Sequence, residues 1–283
     1  MVTIGAHVST AGGLTTCIPR AEDLGAECMQ IFLSAPQSWQ PPKHSDEQVE
    51  DFKRLVVEKK IGPNFAHATY LINLAAPDPG IRQRSIDNLS TLASWADRIG
   101  LVGVVVHIGS ARGQSVEDAV TQCASALAGV LANDTTSGIL LENAAGSGEY
   151  LGSRFEQIGL IIDRLGRDER LGLCLDTAHT FASGYDLREV DGIQRAVDEI
   201  ERFIGLDRFK VIHANDSKAD LNSAVDRHAN IGKGCLGDEA FRRMFANPQL
   251  REVPWITEAP GYDDRGPDLQ NVKDLKRLAG RKR

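Results

Sequence analysis

Eight short apolar runs, several rich in β-branched residues, recur along the chain, and longer stretches of helical period separate them. They are residues 2–8 (VTIGAHV), 28–33 (CMQIFL), 64–68 (NFAHA), 102–108 (VGVVVHI), 138–143 (GILLEN), 171–177 (LGLCLDT), 209–216 (FKVIHAND) and 254–259 (PWITEA). Helix signals lie between them. Ser45 with Gln48 reads as a capping box ahead of Val49, Phe52, Leu55 and Val56, and Ser153 with Glu156 reads as another ahead of Ile158, Ile161 and Ile162. Strands that alternate with helices pair in parallel, because each helix carries the chain back to the same edge. Eight such units predict an α/β fold, a (β/α)8 TIM barrel, with a doubly wound open sheet as the alternative. No linker or shift of composition interrupts the pattern, so residues 1–283 read as one domain.

Most of the runs end in a side chain that can bind metal: His7, His67, His107, Glu142, Asp176, His213 and Glu258. In a parallel barrel every carboxyl end emerges on one face, so residues far apart in sequence converge there. Singly, a strand-end histidine is commonly a hydrogen-bonded structural residue and a strand-end carboxylate the cap of the next helix. The distribution argues otherwise, because only His44 and His228 of the seven histidines fall outside this set, His179 lying three residues past Asp176. Asp226 and His228 would point the same way in an extended segment, with Arg227 opposite. Imidazoles and carboxylates without a thiol suit zinc, manganese or iron. So many donors exceed the needs of one tetrahedral site. They fit two or more ions close together, an arrangement suited to displacement at phosphorus. The residues alone therefore predict a multinuclear metallohydrolase.

The net charge of −7 counts at first against a polyanionic partner. No apolar run reaches the length of a membrane span, and MVTIGAHVST has neither a basic leader nor an apolar signal core, which predicts a cytoplasmic protein. Cys17, Cys28, Cys123, Cys174 and Cys235 are scattered and odd in number, so they read as reduced structural thiols.

The segments IGAHVSTAGGL (4–14), HATYLINL (67–74), LLENAAG (140–146), LCLDTAHT (173–180), IHANDSK (212–218), DRHANIGKG (226–234) and TEAPG (257–261) follow one another in an order that resembles the bacterial endonuclease IV family over nearly the whole chain. The resemblance implies a monomeric, zinc-dependent enzyme acting on duplex DNA. Its reaction would be hydrolysis of the phosphodiester 5′ to an abasic site, leaving a 3′-hydroxyl and a 5′ deoxyribose phosphate. It implies three zinc ions, with manganese or iron possible at some positions. His67, His107 and Glu142 would hold the first. Glu142 would bridge to a second that also takes Asp176, His213 and Glu258, and His179, Asp226 and His228 would hold the third. Glu142 and Glu258 would assist deprotonation of the attacking water.

Three divalent ions would also bring the formal charge close to neutral and make the pocket positive. By the same resemblance Tyr70 and Leu71 would wedge into the base stack, and Gln37 stands where many relatives carry an arginine that penetrates the duplex. Arg227, Lys233, Lys43 and Lys218 would add phosphate contacts. Ile108 stands where proline is usual, and Asn222 where glycine commonly precedes the DRH motif; asparagine tolerates the left-handed backbone that such a loop needs. Two other readings compete. A metal-dependent sugar isomerase or epimerase on the same barrel would leave His179, Asp226 and His228 without a role. A non-enzymatic damage-binding protein, with metals only supporting the fold, would show a broken ligand set.

Overall fold

The computed structural model describes residues 1–281. Eight parallel strands close into a barrel in the order β1 (Ile4–His7), β10 (Trp255–Thr257), β7 (Phe209–His213), β6 (Leu171–Asp176), β5 (Gly138–Glu142), β4 (Gly103–His107), β3 (Asn64–His67) and β2 (Met29–Phe32). Helices fall between successive strands, from Cys17–Leu24 to Leu269–Leu278. Closure rules out the open sheet. The last barrel strand is tenth in chain order because an antiparallel hairpin, β8 (Asp216–Ser217) and β9 (His228–Ala229), follows β7. Residues 209–216 are therefore not one strand: β7 stops at His213 and the chain leaves the barrel to start the hairpin.

The helix Asp46–Lys59 starts as expected, with the Ser45 hydroxyl accepting from Gln48 N and the Gln48 side chain accepting from Ser45 N. The second expected box does not form. The helix Phe155–Arg164 begins one residue later than a Ser153 cap requires, and Gln157 instead reaches back to accept from Gly152 N at 2.9 Å. Ile158, Ile161 and Ile162 are nevertheless buried, because the helical period that selects them does not depend on the cap.

Successive side chains of a strand point to opposite faces, and two separate apolar clusters result. One lies inside the barrel: Cys28, Phe65, Val105, Leu140, Cys174, Val211 and Ile256. The alternate residues, among them Ile4, Met29, Val104, Leu141, Ile212 and Trp255, belong to the larger cluster packed under the helices. Two residues beyond each interior residue comes a polar one, in turn Gln30, His67, His107, Glu142, Asp176, His213 and Glu258, while β1 contributes Gly5 and then His7. A polar ring thus rests on an apolar layer. Register sets its members side by side, His107 opposite Glu142 and Asp176 opposite His213.

Gly5 is the exception that closes the barrel, since a Cβ there would lie 1.9 Å from Cys28 O and 2.7 Å from its Sγ. All five cysteines are free and four are buried. Among the described residues no helix is long and apolar enough to cross a membrane.

Candidate metal centre

Three groups of ligand atoms form on the ring, each within 4.8 Å: His67, His107 and Glu142; Glu142, Asp176, His213 and Glu258; and Asp176, His179 and His228. Glu142 links the first two, one oxygen to each. Its Oε2 lies 3.2 Å from His67 Nε2 and 3.3 Å from His107 Nε2, and its Oε1 lies 3.0 Å from His213 Nδ1. The third group differs from expectation, because Asp176 joins it and Asp226 falls outside the tight set. Asp226 Oδ1 still lies 3.2 Å from His179 Nε2 and 3.3 Å from His228 Nε2. Asp176 serves two purposes: Oδ1 accepts from His179 N at 2.8 Å as the cap of the helix Thr177–Ala182, and Oδ2 faces His228 Nε2 at 3.6 Å.

Hydrogen bonds at the back of the imidazoles decide what faces the centre. His67 Nδ1 lies 2.7 Å from Ala68 O and His179 Nδ1 lies 2.9 Å from Asn143 O. A carbonyl only accepts, so both Nδ1 atoms carry hydrogen and each neutral ring turns a bare Nε2 inward. The Nε2 atoms of His179 and His228 are buried without any hydrogen-bond partner. Lone pairs facing carboxylates at such distances require a cation or a proton between them, so the donor set fits metal.

Without metal, protons take that place. Burial opposes charging of His179, but the carboxylates of Asp176 and Asp226, with Glu142, outweigh it and lift its pKa to about 10. His213 is likewise raised well above the ordinary value despite burial. Burial favours a neutral Glu142, yet the positive field of His107 and His213 holds its pKa well below the usual range, and Asp226 falls to about 2 beside His179. A metal ligand must be neutral imidazole or carboxylate, so an arriving ion expels protons already bound. Zinc added to metal-free protein at pH 8 in weak buffer is expected to acidify the solution by about one proton or more per chain, and binding to strengthen as pH rises. An indicator dye reads this, and absence of acidification would count against these ligands.

The ring opens into a cleft of 500 Å³ walled by His67, Tyr70, His107, Glu142, Asp226 and Arg227, among others. An adjoining lobe of 450 Å³ adds Ile72, Ala144, Tyr150 and Val225. A larger hollow of 630 Å³ at the opposite ends of the strands, between Val102, Gly138 and Lys210, holds none of the ring.

Tyr70 is 59% exposed at the rim, with its N donating to Pro36 O at 2.9 Å, which ties it to the loop of Gln37. Leu71 is half-buried, and Gln37, Lys43, Lys218, Arg227 and Lys233 are exposed. Of the expected DNA contacts only Tyr70 and Arg227 line the cleft; Leu71, Gln37 and Lys233 lie outside its lining. Asn222 adopts a φ of 58°, the left-handed conformation its place requires.

Three buried amides went unread in the sequence. Asn143 Oδ1 accepts from Asp176 N at 2.7 Å, Asn215 Nδ2 donates to Asp176 Oδ2 at 2.6 Å, and Gln30 sits in the ring itself. The alternation along β2 was the signal for Gln30, which follows the interior Cys28 by two.

A family model described as a xylose isomerase-like TIM barrel matches residues 18–279. A probable endonuclease 4 of Chloroflexus aurantiacus is 38% identical, the match covering 98% of both chains. The chain belongs to the endonuclease IV family. It is an enzyme. Another probable endonuclease 4, from Petrotoga mobilis, is 38% identical over 99% of this chain and all of its own. The crystal structure of endonuclease IV from Thermus thermophilus superposes with a TM-score of 0.84 at 33% identity, covering 98% of this chain and 99% of that one. A D-tagatose 3-epimerase-like protein matches with a TM-score of 0.69 at 18% identity and shares the fold. The endonuclease IV matches thus extend from barrel to sequence.

Proposed function

We propose that this chain is a DNA-repair nuclease that hydrolyses the phosphodiester 5′ to abasic sites in duplex DNA, leaving a 3′-hydroxyl and a 5′ deoxyribose phosphate. The observation that carries the reading is the convergence of the nine expected ligand positions in one place, seven of them lining the cleft and Asp176 and His213 buried behind it, with Glu142 between the groups. His67, His107 and Glu142 would hold one zinc, Glu142, Asp176, His213 and Glu258 a second, and His179, Asp226 and His228, aided by Asp176, a third. Manganese or iron could replace zinc at some positions. Bound ions would supply a nucleophile from water near neutral pH and positive charge for the phosphate.

The chain's own groups do the rest. Glu142 and Glu258 remain ionised, and Glu142, with Glu258 assisting, would take the one proton that the attacking water gives up. The cleft takes a nucleotide only once it has left the stack, and Tyr70, with Leu71 and Gln37 beside it, fills the gap left in the helix. Arg227 and Lys233, with Lys43 and Lys218, meet phosphates. The chain acts as a single-domain monomer in the cytoplasm.

The test is cleavage of a duplex carrying one tetrahydrofuran abasic analogue by untreated, chelator-stripped and zinc-restored protein, with undamaged duplex as control. Incision 5′ to the lesion that stripping abolishes and zinc restores is expected. Turnover of free sugars by folded, zinc-loaded protein that leaves this duplex intact would replace the reading with that of an isomerase or epimerase. Tyr70→Ala is expected to weaken binding of the abasic duplex by about ten- to a hundredfold, the worth of one stacked aromatic, as measured by fluorescence anisotropy. Unchanged affinity would remove Tyr70 from the interface.

A further inference from the structure

Gln30 is fully buried and is the one uncharged amide in a ring of metal-binding side chains. Its Nε2 lies 2.7 Å from Glu258 Oε1 and 3.1 Å from His7 Nδ1, and its Oε1 lies 2.9 Å from His213 Nε2. Every hydrogen-bonding valence of the amide's nitrogen is used, and the direction of each bond is forced. An ionised carboxylate only accepts, so the atom facing Glu258 must be the NH2 group and the carbonyl must face His213. A carbonyl only accepts in turn, so His213 Nε2 must carry hydrogen.

In the neutral ring that leaves Nδ1 bare, and Nδ1 is the atom 3.0 Å from Glu142 Oε1 and 3.2 Å from Glu258 Oε2. The same amide occupies Glu258 Oε1 at 2.7 Å, whereas Oε2 takes only a long bond of 3.4 Å from Asn215 Nδ2 and keeps a lone pair to face the ion. Its second hydrogen goes to His7 Nδ1, which uses the lone pair that His7 turns toward Glu258 and accounts for its absence from the three ligand groups.

We infer that Gln30 is a positioning residue for the second ion, fixing His213 as a ligand through Nδ1 and Glu258 as a ligand through Oε2. The inference rests on the reading of the centre above, in which His213 and Glu258 share an ion. Partners that orient ligands from behind are worth about ten- to a hundredfold in metal affinity. The full zinc-loaded chain and its Gln30→Met variant, similar in length but unable to hydrogen-bond in this way, are to be titrated with a competing chelator while released zinc is followed. The variant is expected to give up one ion with an affinity about ten- to a hundredfold weaker. Equal retention overturns the inference.

Should the variant misfold, wild-type protein decides alone. Nitrogen-15 histidine spectra of the zinc-loaded chain are expected to show His213 protonated at Nε2 and metal-bound at Nδ1, and zinc on Nε2 would overturn the assignment. Neither readout involves DNA. Zinc bound in this manner by a chain that leaves abasic duplex uncut would refute the nuclease reading while the role of Gln30 stood.

Discussion

Glu142→Gln is expected to slow cleavage of abasic duplex by about a thousandfold, the upper range for loss of one preorganised charged group. The size follows from position. Glu142 puts one oxygen against His67 and His107 and the other against His213, so two of the ligand groups meet in a single carboxylate. An amide of the same shape keeps one acceptor and sets an NH2 against bare nitrogens, where its hydrogens fill the place of a cation. The fold has no such dependence, since packing around residue 142 is unchanged. Circular dichroism should therefore match the parent while bound zinc, measured per chain, falls. Cleavage within tenfold of wild type would mean that the two groups do not share this residue.

The second large effect concerns closure of the barrel. Gly5→Ala adds a methyl group where Cys28 O would lie 1.9 Å away, and the nearest atoms are backbone, which cannot swing aside as a side chain could. β1 and β2 are joined through only two register pairs, Ala6 with Met29 and His7 with Gln30, so forcing them apart opens a seam with little pairing to spare. A cost of about 4 kcal/mol or more is expected, in the class of overpacked cores and broken backbone pairing. At this chain length that corresponds to a fall in Tm of roughly 8–16 °C, or to insoluble protein. Calorimetry on the metal-free protein reads it without interference from ligand binding, and a Tm within about 2 °C of wild type would show that the seam relaxes freely.

These two residues also show how far the sequence could be read. Glu142 was legible because strand ends obey a period of two and share one face, so a carboxylate after Leu140 and Leu141 had a predictable address. Gly5 was visible as a letter but not as a necessity, because the approach of Cys28 depends on how the first and second strands meet. Asp176 leaves room for both of its readings at once, capping a helix with Oδ1 while Oδ2 faces His228, which a sequence offers only as alternatives.

Gln30 was missed because an amide at a strand end signals nothing by itself; its meaning comes from Glu258, more than two hundred positions away. The Ser153 box failed by a single residue of register, a distinction that local pattern does not carry. Among the expected DNA contacts, Tyr70, three residues past His67, and Arg227, between Asp226 and His228, line the cleft, whereas Lys233 sits beyond the hairpin on an exposed turn.

The apolar layer inside the barrel also governs traffic. Cys28, Phe65, Val105, Leu140, Cys174, Val211 and Ile256, none more than 2% exposed, stopper the barrel beneath the ring. Beneath the ring the barrel is closed, so an ion, a chelator or a DNA strand would all have to come from the side of the cleft. On the proposed reading, metal exchange and substrate occupancy would exclude each other: an ion lost from the free protein would be replaced from solution, whereas one lying under bound duplex would stay until the product departs. The substrate would then be the lid of its own catalyst, and the interval between turnovers would be when the metal supply of the surroundings has its say.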